Sequence, residues 1–323
     1  MKAVVYCDYG PPDVIRVADV EKPVPTDSQV LVRVRAASVN PLDWHYLRGT
    51  PYLARTVMGL RKPANVRLGV DFAGTVEAVG RSVTRFKPGD EVFGGRTGAF
   101  AEYLTIRETG SITLKPANVT FEQAAAVPVA GVTALQGLRD QGQVRAGQKV
   151  LVNGASGGVG TFAVQIAKAL GAEVTGVSST RNLDLIRSIG VDHAVDYTKE
   201  NFTTGVERYD VILDNVANHP LSAFRRVLTA QGRYVMVGGP SGRWLDPMPR
   251  AAAASVVSWF VSQKLGFFVS SLTASDLAAL AGMMAAGKVT PVIDRRYRLA
   301  EIREAVAYLE TGRARGKVVI VME

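Results

Sequence analysis

Apolar and polar positions follow one another in two different rhythms along the chain. From residue 1 to about 120, short runs rich in Val, Phe and Arg, such as Gln29–Arg35, Gly74–Val79 and Glu91–Phe93, are punctuated by turn signals. Gly10-Pro11-Pro12, Lys87-Pro88-Gly89-Asp90 and Gly94-Gly95 are examples of the punctuation. Period-two runs bounded by Gly, Pro and Asp predict strands, and this half reads as a compact β domain. No helix-length period stands out in it.

From about residue 122 strands and helices alternate. Phe121–Leu138 is Ala-rich and helical, with Pro128 bound to kink or divide it. A strand is predicted at Lys149–Asn153, then a helix over Val159–Leu170 closed by Gly171, and a strand at Glu173–Val177. Helix Asn182–Ile189, closed by Gly190, and strand His193–Val195 follow, then strand Tyr209–Asp214, helix Leu221–Leu228 and strand Arg233–Val237. This β-α-β-α series implies a doubly wound parallel sheet with helices on both faces. The remainder reads as helix Ala274–Ala286, strand Val292–Tyr297, helix Glu301–Glu310 and strand Lys317–Met322. The most apolar long stretch, Ala251–Val269, is interrupted by Gln263 and Lys264, so it predicts a buried or interface helix and a strand rather than a membrane span.

Composition narrows the function classes. With 323 residues, 47% of them hydrophobic, the chain is long enough for two cored domains. A single cysteine, Cys7, excludes a disulfide framework and favours a cytoplasmic setting. Together with only His45, His193 and His219 it leaves too few soft ligands for structural zinc. The net charge of +9 is dispersed without a dense basic run, so a basic soluble surface is preferred to nucleic-acid binding. The opening Met1-Lys2-Ala3-Val4-Val5-Tyr6 reads as a strand and not a signal peptide.

The sharpest motif is Gly154-Ala155-Ser156-Gly157-Gly158-Val159-Gly160, directly after the apolar strand Lys149–Asn153 and opening an amphipathic helix. In the G-x-G-x-x-G pattern Ala155 takes the first slot, followed by Gly157 and Gly160. Small residues let backbone amides approach a pyrophosphate, and the helix start stabilises its charge. A tight turn that binds nothing is the competing reading. A P-loop is excluded because no Lys-Ser or Lys-Thr follows Gly160, and a short-chain dehydrogenase because no Tyr has Lys four positions on. At the end of the second strand, where NAD enzymes carry an acid, stand Ser178, Ser179, Thr180 and Arg181. Hydroxyls and a guanidinium there favour NADPH.

The glycine run, the β-rich first segment and the closing Arg315-Gly316-Lys317-Val318-Val319-Ile320 resemble the medium-chain dehydrogenase/reductase superfamily. The likeness is to its zinc-free, zeta-crystallin-like quinone oxidoreductase branch. Ser38-Val39-Asn40-Pro41-Leu42-Asp43-Trp44, Gly69-Val70-Asp71-Phe72-Ala73-Gly74, Lys87-Pro88-Gly89-Asp90-Glu91-Val92 and Gly131-Val132-Thr133-Ala134 carry it over essentially the whole length. The resemblance implies a GroES-like β-rich catalytic domain, 1–122 with 291–323, and a Rossmann NADP-binding domain, 123–290. Where zinc alcohol dehydrogenases have Gly-His-Glu, this chain has Gly69-Val70-Asp71, and no thiol lies near Asn40, so no metal is expected.

The family places the nicotinamide near Asn40, Thr133 and Gly238-Gly239. Asn40 either contacts the nicotinamide ribose or substrate, or caps the turn before Pro41. Tyr197 matches a family position against the 2′-phosphate, or is a surface tyrosine. Asn215 is assigned to the same cofactor set, as are Gly158 and Val159. Of the basic cluster Arg313, Arg315 and Lys317, the resemblance points to Arg315 or Lys317 as phosphate contacts. His45 and Tyr46 are candidates for the proton donor, with solvent as the alternative. The expected reaction is hydride transfer from NADPH to a quinone or other conjugated carbonyl compound, in a homodimer. An enone or alkenal double-bond reductase, or an NADPH-binding sensor without turnover, are the alternatives. The basic loop Tyr52–Arg67 and the aromatic residues Trp244, Trp259, Phe260, Phe267 and Phe268 are left as candidates for a pocket or subunit interface.

Overall fold

The computed structural model describes residues 1–239 and 248–322. The chain divides into two compact units, Met1–Val132 with Leu272–Glu323, and Thr133–Ser271.

The first unit is organised around the strand Gln29–Val39. One edge of this strand pairs antiparallel with Asp71–Val79, and the other is shared by Tyr103–Arg107 and Lys317–Val321. Arg33 and Arg35 are exposed, but Ala36, Ala37, Ser38 and Val39 are all buried. Alternation is lost where both faces are covered, which is why the pattern alone ended the strand at Arg35. Glu91–Gly95 and Ile112–Leu114 extend the sheet beyond Asp71–Val79, and Ile293–Arg298 extends it in the parallel sense beyond Lys317–Val321. Phe72, Phe100, Ile112, Ile302 and Ile320 are among the side chains of one buried cluster. Each contributes roughly 1.5–3 kcal/mol relative to exposure.

One element of this unit has no counterpart in the hydrophobic period. Pro41–Arg48 is a two-turn helix in which Asp43 and Leu47 are buried. So short an apolar stripe leaves no periodic trace. Its signals lie at its ends: Asn40 before Pro41, Asp43 in the first turn, and Gly49 in the left-handed region at φ 59°. Pro128 does divide the Ala-rich stretch, into Phe121–Ala125 and Pro128–Gln136.

The second unit carries a parallel sheet. Its strands lie in the order His193–Asp196, Glu173–Ser178, Lys149–Asn153, Tyr209–Asp214, Leu228–Met236, Lys264–Phe267, and neighbouring pairs are parallel throughout. This is the doubly wound order of a Rossmann fold. Its direction reverses between Lys149–Asn153 and Tyr209–Asp214, and at such a reversal the strand ends leave a crevice for ligand. Leu151, Ile212, Phe224, Tyr234 and Met236 belong to its core. The helix Met248–Trp259 buries Ala254, while Trp259 and Phe260 are each 81% exposed. Trp244 lies outside the described residues. No helix among those described is long and apolar enough to cross a membrane.

Candidate functional site

In the second unit the polar residues gather at the carboxyl ends of the parallel strands. Gly154 turns the chain at φ +80°, and the Ala155 N–H donates to Val177 O at 3.0 Å, tying the turn to the next strand. Gly157 heads the helix Gly158–Ala169 and has no side chain with which to cap it. The first-turn amides of Gly158, Val159 and Gly160 therefore have no acceptor within the helix. A Cβ at Gly157 would meet only Gly154 O, at 3.5 Å, so that side of the turn has room. At Gly160 a Cβ would lie 2.1 Å from Gly154 O, which restricts that position to glycine. An open, side-chain-free helix start of this kind fits a pyrophosphate.

The adenosine end of the expected site differs from the sequence picture in one respect. Parallel pairing sets Asp196 beside Ser178, and the Asp196 carboxylate accepts from Thr180 Oγ1 at 2.5 Å and from Thr198 Oγ1 at 2.7 Å. The Thr180 hydroxyl holds this carboxyl below the usual range, so a buried anion stands close to Ser178–Arg181. The run Ser178–Arg181 shows no acid of its own, and Asp196 lies too far along the chain for the motif to include it. The Ser178 hydroxyl donates to Ser156 Oγ at 2.8 Å, and Asn182 Nδ2 donates to the same oxygen at 3.1 Å. Two of the expected hydroxyl donors thus have internal acceptors. The Tyr197 N–H donates to Ser178 O at 3.1 Å, and its side chain is 54% exposed. Ser179 flanks Asn182 at 3.3 Å, and Arg181 is exposed at the following turn.

Across the reversal point Asp214 is buried, accepting from Asn153 Nδ2 at 2.8 Å, from Ala217 N at 2.9 Å and from Tyr234 OH at 2.7 Å. Burial, and then the Asp214 charge, push the Tyr234 phenol far up, so it remains a donor. These bonds hold the loop carrying Asn215, whose Nδ2 donates to Asn153 O at 2.9 Å while its Oδ1 is buried without a partner. A Cβ at Gly238 would stand 2.6 Å from Asn215 O, so glycine permits that close approach. Thr133 Oγ1 pairs with Ser270 Oγ at 2.7 Å. The structure thus brings Ala155, Gly157, Gly158, Val159, Gly160, Asn215 and Gly238 to the carboxyl end of the parallel sheet, with Gly239 next in the chain.

The first unit holds a second polar group. Asn40 is 1% exposed, and its Nδ2 donates to Asp71 Oδ2 at 2.8 Å. Lys317 is buried too, its ammonium donating to Asn40 Oδ1 and to Val39 O at 3.3 Å, with Asp71 Oδ2 at 3.6 Å. Instead of reaching the surface as a phosphate contact, Lys317 lies inside this cluster. Arg315 remains exposed, with its N–H bonded to Asp294 Oδ2 at 2.9 Å. Asp43 Oδ2 accepts the Asn40 N–H at 2.7 Å, and its Oδ1 is buried with no partner. Burial pushes the Asp43 carboxyl up to about 7, pushes Asp71 up and pulls Lys317 down.

His45 is half-buried and stacks on Trp44 with ring centroids 3.8 Å apart. Its Nδ1 lies 3.0 Å from Thr50 O, which fixes Nδ1 as the protonated nitrogen. Burial lowers its pKa, leaving Nε2 an acceptor. Tyr46 packs on the core of the unit. Among the described residues no group of three or more His, Cys, Asp and Glu is placed to hold a metal ion. The oxygens of Asn40 and Asp71 converge instead on the Lys317 ammonium.

Comparison with known proteins adds an independent line. Residues 26–117 match the family model described as the alcohol dehydrogenase GroES-like domain, and residues 189–320 the one described as zinc-binding dehydrogenase. The chain is 33% identical over 335 residues to a chloroplastic NADPH-dependent alkenal/one oxidoreductase of Arabidopsis thaliana, covering 99% of this chain and 79% of that protein. It is 32% identical over 337 residues to a quinone oxidoreductase of Homo sapiens, covering 100% of this chain and 98% of the relative. A solved quinone oxidoreductase from Coxiella burnetii superposes with a TM-score of 0.87 at 28% identity, over 100% of this chain and 99% of the other.

Proposed function

Since the chain belongs to the medium-chain dehydrogenase/reductase superfamily, as a quinone oxidoreductase-like enzyme, we propose that it reduces a quinone or another conjugated carbonyl compound with NADPH and without zinc. The observation that carries this reading is the open helix start behind Gly157 at the reversal point of the parallel sheet. Bound NADPH supplies the hydride. The amides of Gly158, Val159 and Gly160 take its pyrophosphate, and Asn215 Oδ1, buried without a partner, is an acceptor for a donor on the same ligand. Thr133, Gly238 and Gly239 complete the nicotinamide end. Arg181, Ser179 and Tyr197 take the 2′-phosphate, with Ser178 and Thr180 shaping the turn. The unit Thr133–Ser271 is then the NADP-binding domain and the remainder the catalytic domain.

The metal-free part of the proposal is supported by the ammonium of Lys317 lying against the oxygens of Asn40 and Asp71. Without a Lewis acid, acceptors whose hydride adduct is delocalised, such as a quinol anion or an enolate, are the ones within reach. Hydride addition would leave an anion on the acceptor for solvent to protonate; His45, whose Nδ1–H is given to Thr50 O, would offer only an acceptor at Nε2. Reduction of an enone double bond is the second reading, favoured by the name of the Arabidopsis relative. A homodimer in the cytoplasm completes the proposal. The uncovered Trp259 and Phe260, beside the sheet-edge strand Lys264–Phe267, suit a subunit contact.

The test is titration of chelator-treated protein with NADPH and NADH, followed by oxidation assays with a quinone and an enone. NADPH preference with metal-independent turnover is expected. Preference for NADH overturns the reading of Ser178–Arg181, loss of turnover on chelation overturns the metal-free mechanism, and binding without turnover identifies a sensor.

A further inference from the structure

Three neighbouring strands deliver one buried cation and its partners to a single point in the first unit. Lys317 opens the strand whose Val318 pairs with Val39, and Asp71 opens the strand paired through Ser38. Between them Asn40 leaves Gln29–Val39 and heads the helix Pro41–Arg48. The Asn40 amide has one workable orientation, with Oδ1 toward the Lys317 ammonium and Nδ2 toward Asp71 Oδ2. Reversed, it would set an NH2 group against a cation and an oxygen against a carboxylate. Asp71 reaches a second helix as well: its Oδ1 accepts the N–H of Val129 at 3.0 Å, in the first turn of Pro128–Gln136. Ser38 Oγ fills the remaining site on Asp71 Oδ2 at 2.9 Å.

Buried ion pairs add little net stability over an apolar replacement, and their best-attested use is to select one geometry. Here the geometry selected is the start of two helices. His45 and Tyr46 ride on the first, and Thr133 lies four residues beyond Val129 on the second. A scaffold that needed only to be stable would be served by aliphatic side chains at Lys317 and Asp71.

We propose that Lys317 and Asp71 are positioning residues of the reductase. They act through Asn40 on the helix bearing His45 and Tyr46, and through the Val129 amide on the helix bearing Thr133. The kinetic part of this inference rests on the functional reading above, and the geometric part does not.

Lys317→Met, Asp71→Asn and the double variant test it with three readouts: kcat and KM, melting temperature, and the imidazole 15N shifts of His45. The chain has three histidines, which keeps assignment simple. Lys317→Met is expected to lower kcat by about tenfold or more, the scale of a small misplacement of reacting groups, with KM for NADPH changed less than about threefold. The His45 shifts are expected to move. The double variant restores charge balance and recovers melting temperature, but not kcat or the parental His45 shifts.

Unchanged His45 shifts in Lys317→Met overturn the inference, as does a double variant that recovers kcat along with melting temperature. If the parent protein turns over neither a quinone nor an enone, the reductase reading fails, and the His45 shifts still decide whether Lys317 positions the helix. If Lys317→Met does not fold, Asp71→Asn carries the same readouts.

Discussion

Two helix starts in this chain solve one electrostatic problem in opposite ways. At Gly158–Ala169 the residue before the helix is Gly157, which contributes no side chain, and a Cβ there would meet only Gly154 O. At Pro41–Arg48 the chain supplies its own acceptor: Asp43 takes the Asn40 N–H, and Asp71 and Lys317 fill the ground beside it. The partial positive charge at a helix start attracts an anion in either case. Where the chain provides the acceptor itself, a joint results. Where it withholds one, a ligand can take the place.

The largest effect comes from turning one start into the other. Gly157→Asp places a carboxylate at the open position, where a Cβ meets only Gly154 O at 3.5 Å. Capping is expected to raise stability by only about a few tenths of a kcal/mol, because glycine is already a tolerable residue at this position. NADPH binding is expected to fall by roughly 100-fold, about 2.7 kcal/mol. Calorimetric titration beside a thermal melt reads both, and retained affinity would break the comparison.

The converse change, Asp43→Asn, probes the filled start through pH. In the folded chain the Asp43 carboxyl lies at about 7, whereas in the unfolded chain it ionises near the usual value of about 4. Between those limits the folded state holds the proton that the unfolded state has lost, so this group's contribution to stability falls as the pH rises. Asp71 and Lys317 face the same site and are electrostatically coupled to Asp43, so the difference between variant and parent reads Asp43 together with that coupling. Melts across the window should show the Asp43→Asn variant gaining on the parent from about pH 4 to about pH 7, with the difference constant above it. A constant difference across the whole window would remove Asp43 as the titrating group.

Smaller effects sharpen the picture. Asp196→Asn removes a buried anion that Thr180 and Thr198 hold beside the strand end, and NADPH should then bind about threefold to tenfold more tightly with NADH little changed. Equal gains for both nucleotides would show that Asp196 does not face the 2′-phosphate. His45→Gln should lower kcat less than about tenfold, short of the 10²–10⁴ typical of a general acid. A larger loss would return His45 to the role of proton donor.

The doubly wound sheet was legible because apolar runs and amphipathic helices alternate with glycine after them, and the turn at Gly154–Gly160 was legible because its residues are contiguous. Asp196 was not, since only the pairing of His193–Asp196 with Glu173–Ser178 carries it to Thr180. The same holds for Lys317. As part of Arg313, Arg315 and Lys317 it looks like a solvated charge run, and its burial depends on a strand partner far away in sequence. The helix Pro41–Arg48 was too short for its period to register, although Asn40-Pro41 and Gly49 marked both ends.

The separation between Lys317 and Val39, 278 positions, sets an order of events during synthesis. The unit Thr133–Ser271 is one continuous segment and can fold as soon as it clears the ribosome. The first unit cannot. Asp71 and Asn40 are made early and must stay without their cation until Lys317 has emerged, so closure of that unit is a late, long-range step. A nascent chain stopped before Lys317 would present a folded Thr133–Ser271 unit and a β unit still awaiting the strand Lys317–Val321.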